Sequence, residues 1–228
     1  MGSTIEWYDF FLYGTMAAII FPQLFFPQHD SYVATLLTFS TYAIGYIARP
    51  IGGGLFGHLG DKIGRKVALV ATLIIMGITT VLIGVMPGFE TLGLLAPIII
   101  TILRFIQGIA IGGEWPGSVL ISMEWGTEKN KGFMATLPQI GVPLGLILGT
   151  AVTSLFIAIS GDSFQTWGWR VPFILSLVLV IIGLLIRMNL METPSFQKSL
   201  EKKELPKLPI VSLFKQYPKQ VTAGVLQM

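Results

Sequence analysis

Six apolar runs, each about as long as a bilayer is thick, constrain the fold of this chain more than any other feature. They cover residues 5–24, 33–57, 67–87, 94–121, 134–158 and 171–190. A helix needs about 20 mostly apolar residues to cross a bilayer. Only 12% of the residues are charged, whereas about a quarter are charged in an ordinary soluble domain. The sequence therefore predicts an all-α membrane protein with six transmembrane helices.

Basic residues are concentrated on one side of this predicted threading. Lys62, Lys129 and the bases of residues 187–219 lie on that side, while the opposite connections contain only Arg170. By the positive-inside rule, the basic side faces the cytoplasm. The basic pI of about 9.2 is therefore a consequence of membrane topology, and we expect no nucleic-acid partner.

Several kinds of site are excluded by residue type or spacing. The chain has no cysteine, which excludes disulfides, thiolate metal sites and cysteine nucleophiles. His29 has no other residue near it at metal-ligand spacing, and the spans contain no Ser/His/Asp arrangement. Residues 52–57 match G-x-G-x-x-G, but they lie inside an apolar run without the preceding strand that a dinucleotide fingerprint requires. We therefore expect neither an enzyme nor a metal or nucleotide cofactor site.

Residues 57–66, with the sequence GHLGDKIGRK, join the second and third apolar runs. Three glycines allow turning and close backbone approach, so the segment is predicted to be a tight, charged turn. Glu124, in the next connection on the same side, complements its bases. Each exposed ion pair stabilises a protein by only about 0–1 kcal/mol, so such pairs can break at little cost in free energy when a gate opens. The residues predicted to form this gate are Asp61, Lys62, Arg65, Lys66 and Glu124.

The first span carries two carboxylates close together. At 100° per residue, Glu6, Asp9 and Tyr13 fall within about 60° of one another on a helix. Ionisable groups inside a span are costly and normally face a cavity or a partner. One interpretation is an interfacial cap at the helix end. The other is a proton-accepting carboxylate, because the charge of a buried carboxyl group follows its access to water and to nearby arginines.

The second and third spans contrast in polarity. Tyr42 and Arg49 share roughly one face of the second span, together with Thr38 and Tyr46. Arg49 stands about nine residues from the charged turn, some 13 Å along a helix, so it needs an anion or a carboxylate. It is therefore either a substrate ligand or half of a structural ion pair. The third span has no charged residue and is predicted to be a lipid-facing scaffold.

The fourth span carries Arg104, Gln107 and Glu114 on one arc of about 120°. Arg104 falls near the middle of the span, where an unpaired charge is costly. Its guanidinium matches a carboxylate bidentately, so its expected partners are Asp9, Glu6 or an anionic substrate. Glu114 is either a second proton site or a structural element. On the fifth span, Gln139 is a possible cavity-lining residue.

Two sets of motifs resemble known families. Residues 57–66 resemble the signature loop between the second and third helices of the major facilitator superfamily. Further motifs resemble the metabolite:H⁺ symporter family, whose members carry 2-oxoglutarate, shikimate, citrate and proline/betaine. They are EWYDF at 6–10, ARPIG at 48–52, GEW at 113–115, WGWRVPF at 167–173 and ETP at 192–194.

The resemblance implies the amino-terminal half of a twelve-helix bacterial carrier, with its six helices arranged as two inverted three-helix repeats. Residues 1–190 would form the bundle, 191–220 a cytoplasmic linker and 221–228 the start of a truncated seventh helix. The expected partners are a small-molecule substrate, the lipid bilayer and the missing carboxy-terminal half.

The implied function is proton-coupled symport of a small organic acid or zwitterion by alternating access in the bacterial cell membrane, with a proton gradient instead of a cofactor. A proton-coupled antiporter and a six-helix channel-like or scaffold protein are the alternatives. Three acids are expected to serve in proton coupling, namely Glu6, Asp9 and Glu114. The expected substrate-binding residues are Arg104, Arg49, Tyr13, Tyr42, Gln107 and Gln139.

Overall fold

The structure, a computed structural model, describes residues 2–189, and these are almost entirely helical. The predicted linker (191–220) and the start of a seventh helix (221–228) lie outside this part of the chain. The helices in chain order are α1 (Gly2–Ile19), α2 (Phe21–Phe25), α3 (Ser31–Ile63), α4 (Arg65–Val85), α5 (Phe89–Leu92), α6 (Leu95–Trp125), α7 (Lys131–Thr136), α8 (Gly141–Ser160) and α9 (Arg170–Met188), with 3-10 turns at Leu137–Ile140 and Gly161–Phe164.

Six helices in the described part of the chain have 18 or more residues, namely α1, α3, α4, α6, α8 and α9. Four helical segments are long and apolar enough to cross a membrane, and they are Arg65–Val85, Leu95–Trp125, Lys131–Phe164 and Arg170–Met188. The expectation of six spans is therefore met in part. Helices α1 and α3 are long enough but less apolar, because α1 carries Glu6 and Asp9 and α3 is rich in tyrosine, threonine and glycine.

The charged segment 57–66 is not the tight turn expected from the sequence. Helix α3 continues through it to Ile63, and α4 begins at Arg65. Only Gly64 leaves the helix, with φ 103°, in the left-handed region that favours glycine. Gly57 and Gly60 remain helical, so the charges of this segment lie on the end of α3 and the first turn of α4.

Helices α3 and α6 pack with their backbones in close contact. A Cβ atom added to Gly108 would lie 2.8 Å from Ala48 Cβ, and it would also overlap the Gly45 carbonyl. A Cβ atom on Gly52 would overlap the Ile109 carbonyl. Small residues at such crossings are what allow helices to approach closely in membranes.

Helices α1 and α8 pack in the same manner. Cβ atoms added to Gly141 and Gly145 would lie 2.8 Å from Ser3 Cβ and 2.7 Å from the Tyr8 backbone nitrogen, respectively. On another side of α1, Tyr8 Oη donates to the Pro172 carbonyl of α9 at 2.8 Å. These contacts fix α1 between α8 and α9, and α1 carries the two carboxylates of the candidate site.

Candidate functional site

A chain of side-chain hydrogen bonds links a buried arginine to a buried carboxylate. Arg104 Nη1 on α6 donates to Gln107 Oε1 at 3.0 Å, and Gln107 Nε2 donates to Thr80 Oγ1 on α4 at 2.8 Å. Thr80 Oγ1 in turn donates to Asp9 Oδ2 on α1 at 2.9 Å. Each of these four side chains is at most 1% exposed. All donors point from the guanidinium towards the carboxylate, so the chain supports an ionised Asp9.

The direct Asp9–Arg104 pair expected from the sequence is not formed. Within residues 2–189, no ion pair of 4.0 Å or less joins Arg104 to Asp9 or to Glu6. The separation is bridged instead by Gln107 and Thr80. Asp9 Oδ1 and the Nε and Nη2 atoms of Arg104 are buried without a hydrogen-bond partner in this part of the chain. Both ends of this Asp9–Thr80–Gln107–Arg104 relay therefore keep unused hydrogen-bonding capacity.

Arg104 is enclosed by three aromatic rings. Its Cζ lies 4.8 Å from the centroid of Phe10, 4.2 Å from that of Tyr13 and 4.6 Å from that of Tyr42. Tyr13 Oη lies 2.7 Å from Thr41 Oγ1. A cation such as the Arg104 guanidinium interacts favourably with the face of an aromatic ring. A Cβ atom added to Gly45 would lie 2.9 Å from Arg104 Nε. Gly45 thus makes room for the guanidinium against α3.

A second buried charge cluster joins α1, α6 and α9. Arg187 Nη2 on α9 forms an ion pair with Glu114 Oε1 on α6, and lies 4.0 Å from Glu6 Oε1 on α1. Glu114 also accepts from Thr72 Oγ1 at 2.9 Å and from Ser118 Oγ at 3.0 Å. One guanidinium therefore serves two carboxylates. These contacts favour the structural interpretation of Glu114.

Two features of these clusters were missed in the sequence. Arg187 was counted among the cytoplasmic bases, but it is 6% exposed and points into the bundle. The third span was predicted to be a lipid-facing scaffold, but Thr72 and Thr80 of α4 donate to Glu114 and Asp9. Threonine carries no charge, so the only signal of a polar face in this span was the spacing of Thr72, Thr79 and Thr80. All three are buried.

A separate cavity of about 630 Å³ lies beside the relay. Its charged lining residues are Glu6 and Arg49, and Gln139 also reaches it. The Arg49 guanidinium lies among aromatic rings, with Cζ 4.5 Å from the centroid of Phe10 and 4.3 Å from that of Tyr46. Its Nε and Nη2 atoms have no hydrogen-bond partner in the described part of the chain.

The predicted gate residues lie together at the other end of α3 and α6. Arg65 pairs with Glu124, and its Nη2 lies 3.9 Å from Asp61 Oδ1. Lys66 Nζ donates to the Met188 carbonyl at 2.6 Å, while Lys62 is exposed. The segment therefore connects α3, α4, α6 and α9 by side-chain contacts.

The residues predicted for proton coupling and substrate binding thus separate into three groups. Asp9, Arg104 and Gln107 belong to the buried relay, against Tyr13 and Tyr42. The lining of the adjacent cavity contains Glu6, Arg49 and Gln139, whereas Glu114 lies in the cluster around Arg187. In residues 2–189, no group of three or more His, Cys, Asp and Glu side chains is arranged to hold a metal ion.

Comparison with known proteins identifies the family. Residues 1–207 match the family model described as "Sugar (and other) transporter". The chain is 43% identical over 230 residues to the inner membrane metabolite transport protein YhjE of Escherichia coli K12, covering 100% of this chain and 52% of that protein. It is 41% identical to the shikimate transporter of the same organism, over 95% of this chain and 50% of the relative.

A third relative is the proline/betaine transporter of Escherichia coli K12, 40% identical over 90% of this chain and 41% of the relative. The chain therefore spans about half the length of the relatives that it matches. These matches confirm the prediction of a multi-pass membrane protein that belongs to a transport family and not to an enzyme family, and the relatives named here are bacterial.

The fold also matches solved structures. The major facilitator superfamily proton:xylose symporter XylE, bound to 6-bromo-6-deoxy-D-glucose, superimposes with a TM-score of 0.74 at 22% identity, covering 90% of this chain and 46% of that chain. A partially occluded inward-open structure of XylE from E. coli gives a TM-score of 0.74 at 21% identity, over 99% and 55% of the two chains. The fold is thus that of half of such a transporter. The chain belongs to the sugar (and other) transporter family.

Proposed function

We propose that this chain forms the amino-terminal half of a proton-coupled symporter for a small organic acid or zwitterion in the bacterial cell membrane. Two named relatives, the shikimate and the proline/betaine transporters, move solutes of this kind. The carboxy-terminal half, of similar size, would supply the other side of the binding site. The observation that carries the proposal is the buried Asp9–Thr80–Gln107–Arg104 relay with unused atoms at both ends.

Asp9 is the proposed proton-binding group. Its ionised form is supported by the donor of Thr80 and, through Gln107, by the charge of Arg104. The relay crosses α1, α4 and α6, so a relative movement of these helices removes the donors. An unsupported buried carboxylate is costly and takes up a proton instead. Proton binding is thereby linked to the conformational cycle.

The six long helices are proposed to span the membrane as two inverted three-helix repeats. In this arrangement α1, α3 and α4 form one unit and α6, α8 and α9 form the other. Helices α1 and α6 then occupy equivalent places, and both carry buried carboxylates, Asp9 and Glu114. Alternating access would come from rocking of the amino- and carboxy-terminal halves of the full carrier about the site between them.

The ion pairs at the ends of α3 and α6 are proposed to bias the gate. Arg65 and Glu124 form a pair with side chains only 20% and 17% exposed, while Asp61 is 50% exposed. Solvent-exposed pairs contribute little stability, so the contact of Arg65 with the half-exposed Asp61 is suited to break and re-form in each cycle. Lys62 and Lys66 lie on the same rim, and Lys66 already holds the end of α9.

The experiment that tests this function is a comparison of two transport assays for Asp9→Asn in the full-length carrier. Asn mimics a permanently protonated carboxyl group. In proteoliposomes we expect proton-driven accumulation of labelled shikimate, proline or glycine betaine to be lost. Counterflow exchange, which requires no net proton movement, should be partly retained.

Different failures of this experiment have different meanings. If gradient-driven accumulation survives Asp9→Asn, the proton is carried by another group and the proposed role of Asp9 is wrong. If an outward solute gradient drives protons inward, the protein is an antiporter. Solute flux that saturates poorly and shows no counterflow in the unsubstituted protein would indicate a channel.

A further inference from the structure

The cavity beside the relay has the features of a solute-binding site, and only one of the two central arginines reaches it. The cavity lies between α1, α3, α6 and α8, and its lining includes the aromatic side chains of Trp7, Phe10 and Trp115. Its volume, about 630 Å³, falls within the range of small-molecule sites. Arg49 is part of this lining, whereas Arg104 is not.

Arg49 presents hydrogen-bond donors in a fixed orientation. Its guanidinium lies over the rings of Phe10 and Tyr46, with Trp7 5.8 Å away. A guanidinium binds a carboxylate bidentately through one edge, and in Arg49 the edge that carries Nε and Nη2 is buried. The Nε and Nη2 atoms on that edge have no partner in residues 2–189.

Arg104 is separated from the cavity by an aromatic ring. The Phe10 ring lies 4.5 Å from Arg49 Cζ and 4.8 Å from Arg104 Cζ, so it contacts both cations. Arg104 is 0% exposed and donates to Gln107. Of the two arginines, only Arg49 is therefore placed to contact a solute in the cavity.

We propose that Arg49 is the residue that binds the carboxylate of the transported solute, and that Arg104 is a positioning residue for Asp9 which does not touch the solute. The inference rests on the proposed transport function and assigns its substrate class: a small carboxylate whose apolar body packs against Trp7 and Trp115. Arg49→Gln should then weaken solute binding, whereas Arg104→Lys should disturb proton coupling.

The first test measures counterflow in proteoliposomes of the full-length carrier, with labelled shikimate, proline and glycine betaine as probes. For the transported probe, Arg49→Gln should raise the half-saturating concentration by about 10- to 100-fold, since a lost charged hydrogen bond costs about 1.5–3 kcal/mol. Arg104→Lys should change it less than about threefold while lowering proton-driven uptake and shifting its pH profile. The methyl ester of shikimate should compete poorly in the unsubstituted protein.

The second test uses the absence of cysteine from this chain. Gly53 lines the cavity one turn after Arg49, and a Cβ atom there would lie 3.4 Å from the Gly112 carbonyl, an ordinary contact. With no other reactive cysteine in the carrier, the probe should protect Gly53→Cys from N-ethylmaleimide. Protection should be lost with Arg49→Gln and kept with Arg104→Lys. Gly54→Cys, which faces open space, is the matched control and should show no protection.

The outcomes separate this inference from the transport function itself. An unchanged counterflow half-saturation in Arg49→Gln would overturn the assignment, as would protection of Gly53→Cys that survives Arg49→Gln. An Arg104→Lys or Arg104→Gln variant that raises the half-saturating concentration as much as Arg49→Gln would also overturn it. In each of these cases the Asp9→Asn result still decides proton coupling.

Discussion

Removal of the Arg187 guanidinium should destabilise the bundle more than removal of either carboxylate that it contacts. Arg187 pairs with Glu114 and lies 4.0 Å from Glu6. Arg187→Met therefore leaves two buried carboxylates without a counter-ion. Breaking a buried pair by deleting one partner costs about 3–5 kcal/mol. Glu114 keeps only the hydroxyl donors of Thr72 and Ser118, so we expect the cost of Arg187→Met to lie at the upper end of that range.

Glu114→Gln should be milder for a reason visible in the geometry. The freed guanidinium still donates to the Leu69 carbonyl, and Glu6 is close enough to take over the ion pair after a small movement. We expect a loss of about 1–3 kcal/mol, the cost of unmaking charged hydrogen bonds. The double variant Glu114→Gln/Arg187→Met should recover part of the stability, but not all, because Glu6 remains unpaired.

The assay is the midpoint of thermal unfolding of the purified full-length carrier in detergent, at one scan rate for all variants. At about 2–4 °C per kcal/mol for a domain of 150–250 residues, a cost near the upper end, about 5 kcal/mol, should lower the midpoint for Arg187→Met by about 10–20 °C. Glu6→Gln is the matched control and should have the smallest effect. Equal losses for Arg187→Met and Glu114→Gln, or a larger loss for Glu114→Gln, would refute the idea that one guanidinium serves both carboxylates.

Three further predictions follow from the ends and the packing of the helices. Asp61→Asn should slow transport more than it weakens solute binding, because a rim charge biases the two states of the gate; a large affinity change with normal turnover would contradict this role. Cysteine at Lys62 should be labelled only from the cytoplasmic side and cysteine at Ser163 only from outside, and the reverse pattern would invert the topology. Gly108→Ala should lower the unfolding midpoint, since overpacking costs about 1–3 kcal/mol, while Gly54→Ala, with open space around its Cβ, should not.

Local signals in the sequence were sufficient for the helices and for one face of the site. Apolar length predicted where the long helices lie, and 100° periodicity placed Arg104 and Gln107 on the face that meets Asp9. These features depend on residues close in sequence. The extension of α3 to Ile63 was missed because glycine permits a turn without requiring one, and of the three glycines in segment 57–66 only Gly64 has a positive φ.

Contacts between distant helices could not be derived in the same way. Thr80 is essential to the relay, yet it is an uncharged residue in an apolar run, and its partner Asp9 is 71 positions away. Arg187 follows the last apolar run, where the positive-inside rule assigns a base to the cytoplasm. Its burial depends on Glu114 and Glu6, which lie on two other helices, and no local pattern reports that arrangement.

Six charged groups of the relay, the cavity and the Arg187 cluster differ in how completely they are partnered, and this difference separates structure from function. Within residues 2–189, no buried side-chain atom of Glu114 or Arg187 lacks a hydrogen-bond partner, whereas Asp9, Glu6, Arg49 and Arg104 each have at least one such atom. An unsatisfied buried polar atom is costly, so a protein retains it where a second state or a ligand satisfies it. The fully paired Glu114 and Arg187 therefore act as the fixed joint of α6 and α9. The four incompletely paired groups, all contributed by α1, α3 and α6, are the ones free to exchange partners with a solute or a proton.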